Sequence, residues 1–195
     1  MNTLIILNGP KQSGKDTLCD YAEHFLCYSI YRPIDVVIDH LGKTILPGLT
    51  QRTYCSREYR EYYETPVGKS LRAVFISYSE DFLKPMYGRD YIGRLTADKI
   101  REELNENTIT FAVVQAMGDV DEIRPIVELP WNNIILVRIH RKGCSFEGDS
   151  RKYFNNHEVD ADWIVDLVND TPTEHSFCIK FYNEVINKYC KRGEG

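Results

Sequence analysis

Apolar residues along this chain fall into short unbroken runs that alternate with helical stripes. Leu4-Ile5-Ile6-Leu7 is continuous and is closed by Asn8, Gly9 and Pro10, which predicts a buried strand over Thr3 to Leu7. Leu18, Tyr21, Ala22, Phe25 and Leu26 then recur at helical spacing, so a helix from about Lys15 to Phe25 should lay one face on a sheet. A strand of this kind feeding such a helix is the entry to a parallel sheet covered on both sides. Tyr28 to Arg32 reads as a second strand, and Ile34 to Leu41 as a strand end or a short helix.

Helical patterns return at Ser70 to Leu83, where Leu71, Val74, Phe75 and Tyr78 share a face and Pro85 should end the helix, and again at Tyr91 to Glu103. Thr108 to Ala116 and Asn133 to Ile139 predict two further strands, separated by a short helix over Asp121 to Leu129 that Pro125 interrupts. A short strand is expected around Trp163 to Val165. The last helix carries a start signal in Thr171, Pro172 and Glu174 and a buried stripe of Phe177, Cys178, Phe181, Tyr182, Val185 and Ile186. Lys191 to Gly195 should fray. Two stretches lack a sustained period. Residues 42–66 are tyrosine-rich and charged and read as a substrate-side insertion; residues 140–160 are polar and read as a lid-like segment. The expected fold is one α/β domain over residues 1–195, three layers deep, with a central parallel sheet and helices on both faces.

Composition narrows the classes. With 43% apolar residues, global disorder is excluded, and 24 Lys and Arg against 29 Asp and Glu argue against a protein that coats nucleic acid. The six cysteines form no Cys-x-x-Cys pair, which suits reduced cytoplasmic thiols, and the opening apolar run is far too short to cross a membrane. The five histidines lack metal-ligand spacing.

Gly9-Pro10-Lys11-Gln12-Ser13-Gly14-Lys15 has the G-x-x-x-x-G-K spacing of a phosphate-binding loop, followed by Asp16 and Thr17. The glycines let the chain curl until several backbone N–H groups face one anion, and the helix start adds its own unpaired N–H groups. Lys15 is the residue to bridge the β- and γ-phosphates of ATP. Asp16 stands where Ser or Thr is usual. A carboxylate there holds Mg²⁺ directly or through water, orients an acceptor hydroxyl, or merely complements the helix dipole.

Asn8 to Thr17, with its Ser-Gly-Lys-Asp-Thr core, resembles the loop of the deoxynucleoside monophosphate kinase-like family common in tailed bacteriophages. Ser77 to Arg94 and Val137 to Arg151 look like further shared blocks. The resemblance implies a P-loop kinase fold, a magnesium–ATP donor and a deoxynucleotide acceptor, in the cytoplasm of a host cell. A homodimer is among the assemblies it allows. Gly9, Lys11, Gln12, Ser13, Gly14, Lys15, Asp16 and Thr17 match the donor-site motif, and Asp16 is the expected metal ligand.

Arg138, Arg141, Arg94, Arg72 and Lys84 sit in or beside the shared blocks. Arg138 and Arg141, with Arg151 in the lid-like segment, are expected on donor phosphates. Arg94 and Arg141 are expected at the reacting phosphates, and Arg72, Lys84 and Asp39 on the acceptor side. The family often carries an Asp at the end of its third strand; here Gln115 or Ala116 stands near that place, with Asp119 and Glu122 slightly later. That departure leaves the metal to Asp16, to Asp35 or Asp39, or to waters, or else implies that transfer is weakened or lost. Three readings stand: a kinase for small nucleotides, a kinase for a hydroxymethylated base in phage DNA, or a nucleotide-binding protein without turnover.

Overall fold

In a computed structural model, residues 2–44, 70–116, 119–147 and 151–190 are described. Five strands, β1 (Thr3–Asn8), β2 (Ser29–Tyr31), β3 (Phe111–Gln115), β4 (Asn133–His140) and β5 (Trp163–Val168), form one sheet in the order β2-β3-β1-β4-β5. Every pairing is parallel. Leu7 lies beside Gln115 on one side and Val137 on the other, and Arg138 pairs with Asp166 across β4 and β5. The strands therefore end together, and the loops that follow them share one edge.

Alternation along β1 divides the core. Ile5 and Leu7 face Leu18, Cys19 and Ala22 of helix α1 (Lys15–Leu26) and Phe177 and Phe181 of helix α8 (Glu174–Phe181). Leu4 and Ile6 face the other way, onto Ala97, Ile100 and Leu104 of α5 (Tyr91–Asn105) and Ile123 and Ile126 of α6 (Val120–Val127). The layers are thus helix, sheet, helix. A third cluster joins Val37, Ile38 and Leu41 of α2 (Pro33–Thr44) to Leu71 and Phe75 of α3 (Leu71–Ser77) and to Leu83 and Ile92.

Several expectations are corrected. The helix does not stop at Pro85: α3 passes into a π turn over Tyr78–Leu83 and on into α4 (Lys84–Tyr87). In the wide turn the Lys84 N–H reaches the Ser79 carbonyl, and Pro85 falls in the first turn of α4, where a missing N–H costs little. Pro125 likewise stands inside α6 without interrupting it. The cap of α8 is Thr173, whose side chain accepts from the Ser176 N–H, two residues after the Thr171 signal. Phe25 is 76% exposed and Tyr182 42% exposed, so neither belongs to its predicted buried stripe. Ile34 to Leu41 is helical, and β3 is shorter and β5 longer than their apolar runs. The lid-like segment contains a short helix, α7 (Asn156–Val159), with an Asn155–Glu158 capping box. A π turn over Tyr182–Ile186 and α9 (Asn187–Tyr189) complete the chain's described part. Of the predicted insertion, Gly42 to Thr44 finish α2, and residues 45–66 lie outside the described residues, as do 191–195.

Candidate functional site

Asn8, buried at the end of β1, accepts from the Phe154 N–H at 2.8 Å and donates to the Lys152 carbonyl at 3.2 Å, so the segment returning from β4 is tied to the start of the phosphate loop. Gly9 follows. A Cβ there would lie 2.7 Å from Ser13 Oγ and 2.9 Å from the Ile139 carbonyl, which only glycine avoids. Gln12 (φ 64°) and Gly14 (φ 111°) take left-handed conformations and close the curl. The start of α1 has no side-chain cap, which leaves its first N–H groups without a side-chain acceptor.

Five of the loop's carbonyls, those of Gly9, Pro10, Gln12, Ser13 and Gly14, accept hydrogen bonds. Lys15 Nζ donates to Gly9 O and, at 2.8 Å, to Pro10 O. Arg141 Nη1 donates to Gln12 O at 3.0 Å, Asn169 Nδ2 to Ser13 O at 2.9 Å, and the Leu18 N–H to Gly14 O at 3.2 Å. Ser13 Oγ, fully buried, has no hydrogen-bond partner among the described residues. A backbone cradle that glycine alone fits, at an uncapped helix start and beside two cations, suits a polyphosphate.

Asp16 accepts from Gln115 Nε2 at 2.5 Å. Gln115 ends β3 level with Leu7, so it occupies the strand-end place expected of a carboxylate and offers an amide there. Among the described residues no group of three or more His, Cys, Asp or Glu can hold a metal. An exposed carboxylate beside the loop, as at Asp16, is of the kind that suits a cation which keeps most of its waters and takes phosphate oxygens. Lys11, Gln12 and Asp16 are exposed and Thr17 half-buried.

At the ends of β4 and β5, Asp166 accepts from Arg138 (2.9 Å and 2.5 Å) and meets His140 Nε2 at 2.6 Å. Partial burial pushes the Asp166 carboxyl up, but these bonds outweigh it and hold it below its usual range. Arg138 is thus held by a carboxylate, while Arg141, three residues later, reaches the loop. His140 packs on Tyr153, whose hydroxyl donates to the Ile139 carbonyl at 2.9 Å. With Arg141, Phe146, Lys152 and Val168 they line a cavity of about 610 Å³ beside the loop. Arg151 lies half-buried just before Lys152.

The remaining predicted residues are spread over the helices between β2 and β3. Arg94 pairs with Asp90 at 3.2 Å, donates to the Tyr87 carbonyl at 2.7 Å and lies over the Tyr91 ring, all around the junction of α4 and α5. Lys84 lies among three carboxylates, Glu80 (2.7 Å), Glu122 (3.0 Å) and Asp119 (3.4 Å). Arg72 is half-buried in the first turn of α3, and Asp39 is exposed on α2. Near the end of β2, Arg32, which went unread in the sequence, donates to Asp20 at 3.0 Å, and burial above all pushes Asp35, a candidate to hold the metal, up to about 6. Asn169 also went unread; a lone Asn after a strand carries no pattern.

No protein-family model matches this sequence, and no curated protein matches it. Among solved structures the chain is similar to TT1252 from Thermus thermophilus, with 15% identity, a TM-score of 0.50, and 95% of this chain and 97% of that one covered. Looser superpositions, at TM-scores of 0.46 and 0.47, are found with a dephospho-CoA kinase from Campylobacter jejuni (13% identity, 96% and 98% covered) and a sugar kinase from Janibacter sp. (8% identity, 94% and 94% covered). With the strand order and the loop after β1, the architecture is the three-layer α/β fold of P-loop kinase-like proteins.

Proposed function

We propose that this chain transfers the γ-phosphoryl group of ATP to a small acceptor, a (deoxy)nucleoside monophosphate. The observation that carries the reading is the loop between β1 and α1, whose carbonyls are held by Lys15, Arg141 and Asn169 while the helix start is left uncapped. The cavity beside it is of a size for a base and ribose and has aromatic walls in Phe146 and Tyr153, which supports seating the donor's base there under residues 140–160.

In this reading Lys15 and Arg141 exchange loop carbonyls for phosphate oxygens when ATP enters. Lys15 stabilises charge on the transferring group, and the backbone N–H groups hold the remaining phosphates in place. Asp16 would hold a Mg²⁺ ion, which would supply further charge neutralisation there. Arg72 and Asp39 face the acceptor. Lys84 would have to leave three carboxylates to meet a phosphate, so its proposed part is to fix α6 behind the end of β3. The Ser-Gly-Lys-Asp-Thr loop supports placing the chain among the phage deoxynucleoside monophosphate kinase-like proteins.

The test is γ-labelled ATP with magnesium, offered a panel of ribo- and deoxynucleoside monophosphates and hydroxymethylated duplex DNA. Label should pass to a monophosphate, and Lys15→Ala should slow transfer by about two orders of magnitude or more. Label passing to DNA instead, or an active Lys15→Ala protein, refutes the proposal. A second reading, binding without turnover, is favoured by one observation: Gln115, an amide, meets Asp16 where a metal-binding carboxylate is expected. Tight ATP binding with no transfer to any acceptor would establish it.

A further inference from the structure

We propose that Asn169 is a positioning residue for the phosphate loop, holding the Ser13 carbonyl outward so that the next N–H, that of Gly14, is aimed at the bound phosphates. The inference rests on the triphosphate-binding reading above and adds to it a residue outside the loop.

A trans peptide unit points its carbonyl and its N–H in opposite directions. Fixing Ser13 O on one side of the chain therefore fixes the Gly14 N–H on the other. Asn169 Nδ2 does the fixing, at 2.9 Å across 156 residues of sequence. The amide is itself well anchored. Its backbone N–H donates to the His140 carbonyl at 2.7 Å, at the end of the neighbouring strand. Its Oδ1 accepts from Thr171 Oγ1 at 3.4 Å, which leaves Nδ2 to face the loop. The contact is close enough that a Cβ on Gly14 would lie 2.8 Å from Nδ2 and 2.8 Å from the Phe177 ring, so the residue opposite Asn169 must be glycine for reasons of space as well as of its φ of 111°.

Asn169 also differs in kind from the loop's other side-chain donors. Lys15 and Arg141 are cations, and both give up carbonyls when they turn to phosphate. The Asn169 amide carries no charge and gains far less from an anion than a cation does, so it keeps its carbonyl through binding. The orientation of the Gly14 peptide is thereby independent of whether the site is filled.

The experiment compares the full-length protein with Asn169→Ala, binding ATP and, separately, inorganic tripolyphosphate, by titration calorimetry; the unfolding midpoint of each protein is measured alongside. The loss of one well-made hydrogen bond should weaken both ligands by the same factor, about five- to ten-fold, because the effect runs through the phosphate nest and not the base. Asn169→Ser, which keeps a polar side chain without the reach to Ser13, gives the same reading if the alanine form does not fold. Unchanged tripolyphosphate affinity overturns the proposal, whether ATP is unaffected or is weakened through a contact with its base. A drop in midpoint alone, with affinity intact, assigns Asn169 to stability and overturns it too. A wild-type protein that binds neither ligand removes the triphosphate reading, and this inference with it.

Discussion

Lys84→Met should be among the most damaging single substitutions in this protein, and the damage should depend on pH. The Lys84 side chain is 9% exposed and its ammonium lies 3.0 Å from a carboxylate oxygen of Glu122, a residue only 3% exposed. At an effective dielectric of about 20, that contact is a gross attraction of roughly 5 to 6 kcal/mol, against which both desolvation costs must be set. Glu80, half-exposed one turn away on the same helix, contributes at most a few tenths of a kcal/mol by comparison.

Most of the damage comes from the carboxylate that Lys84 leaves behind. Glu122 keeps its burial, with neither oxygen in a well-aligned hydrogen bond, and loses the charge that opposes that burial. Breaking a buried pair on one side costs about 3 to 5 kcal/mol. Burial already pushes the Glu122 carboxyl above its usual range against the pull of Lys84, and without Lys84 it rises further. A carboxyl raised in the folded state contributes stability below its ordinary value and withdraws it as pH climbs through the folded value. The deficit of Lys84→Met is therefore largest at neutral pH and shrinks toward acid, and Lys84→Met/Glu122→Gln should recover at least half of it at neutral pH. Urea denaturation of the four proteins of this cycle, at about pH 7 and about pH 5, reads all three expectations. A neutral-pH loss under about 1 kcal/mol, the range of an exposed pair, would refute the reasoning. So would a loss that is the same at both pH values.

Asp16→Asn should retain triphosphate binding in calorimetry, through the backbone cradle and Lys15, and lose most magnesium-dependent turnover; normal turnover across a magnesium titration would reduce Asp16 to a helix-start charge. Gly93→Ala should destabilise by about 1 to 3 kcal/mol or more, because its Cβ would lie 2.0 Å from the Glu122 carbonyl and force α5 and α6 apart; an unchanged urea midpoint would show that the two helices separate freely. Asp35, pushed up to about 6 chiefly by burial, favours the folded state in acid and less so as pH rises through that value. Asp35→Asn should remove this dependence, so that the wild type's stability relative to the variant falls between about pH 4 and pH 7; parallel stability curves would count against it.

The parts of this fold that were legible in the sequence are those written in consecutive residues. The apolar runs of β1, β3 and β4, the glycine spacing of the loop and the stripe of α1 each report a local pattern, and the structure places them side by side as read. What misled were local signals overruled by context. Pro85 reads as a stop, yet a π turn delivers it into the first turn of a new helix. Thr171 reads as a cap, yet its hydroxyl lies between Asn169 Oδ1 and the Thr173 carbonyl while the Thr173 side chain caps α8. Phe25 fits the stripe of α1 by spacing but lies on its solvent side. The site was legible only where it is contiguous. Gln115 and Asp16 meet across 99 residues and Asn169 and Ser13 across 156, and no spacing rule in one sequence reaches that far.

The π turn at Tyr78–Leu83 contains one residue more than an α-helix would need to cover the same path. Each residue of an α-helix rotates the chain by about 100°, so the surplus sets the bearing of everything after it. It is this offset that aims Lys84 inward at Glu122 while Glu80, at the outset of the same turn, still meets it from behind. Deleting one residue between Tyr78 and Leu83 would shorten the helix by little and leave its composition almost unchanged. It would also swing Lys84 about a quarter of a turn off its carboxylates and carry Pro85 into a helix interior. The segment should tolerate substitution far better than it tolerates a change in length.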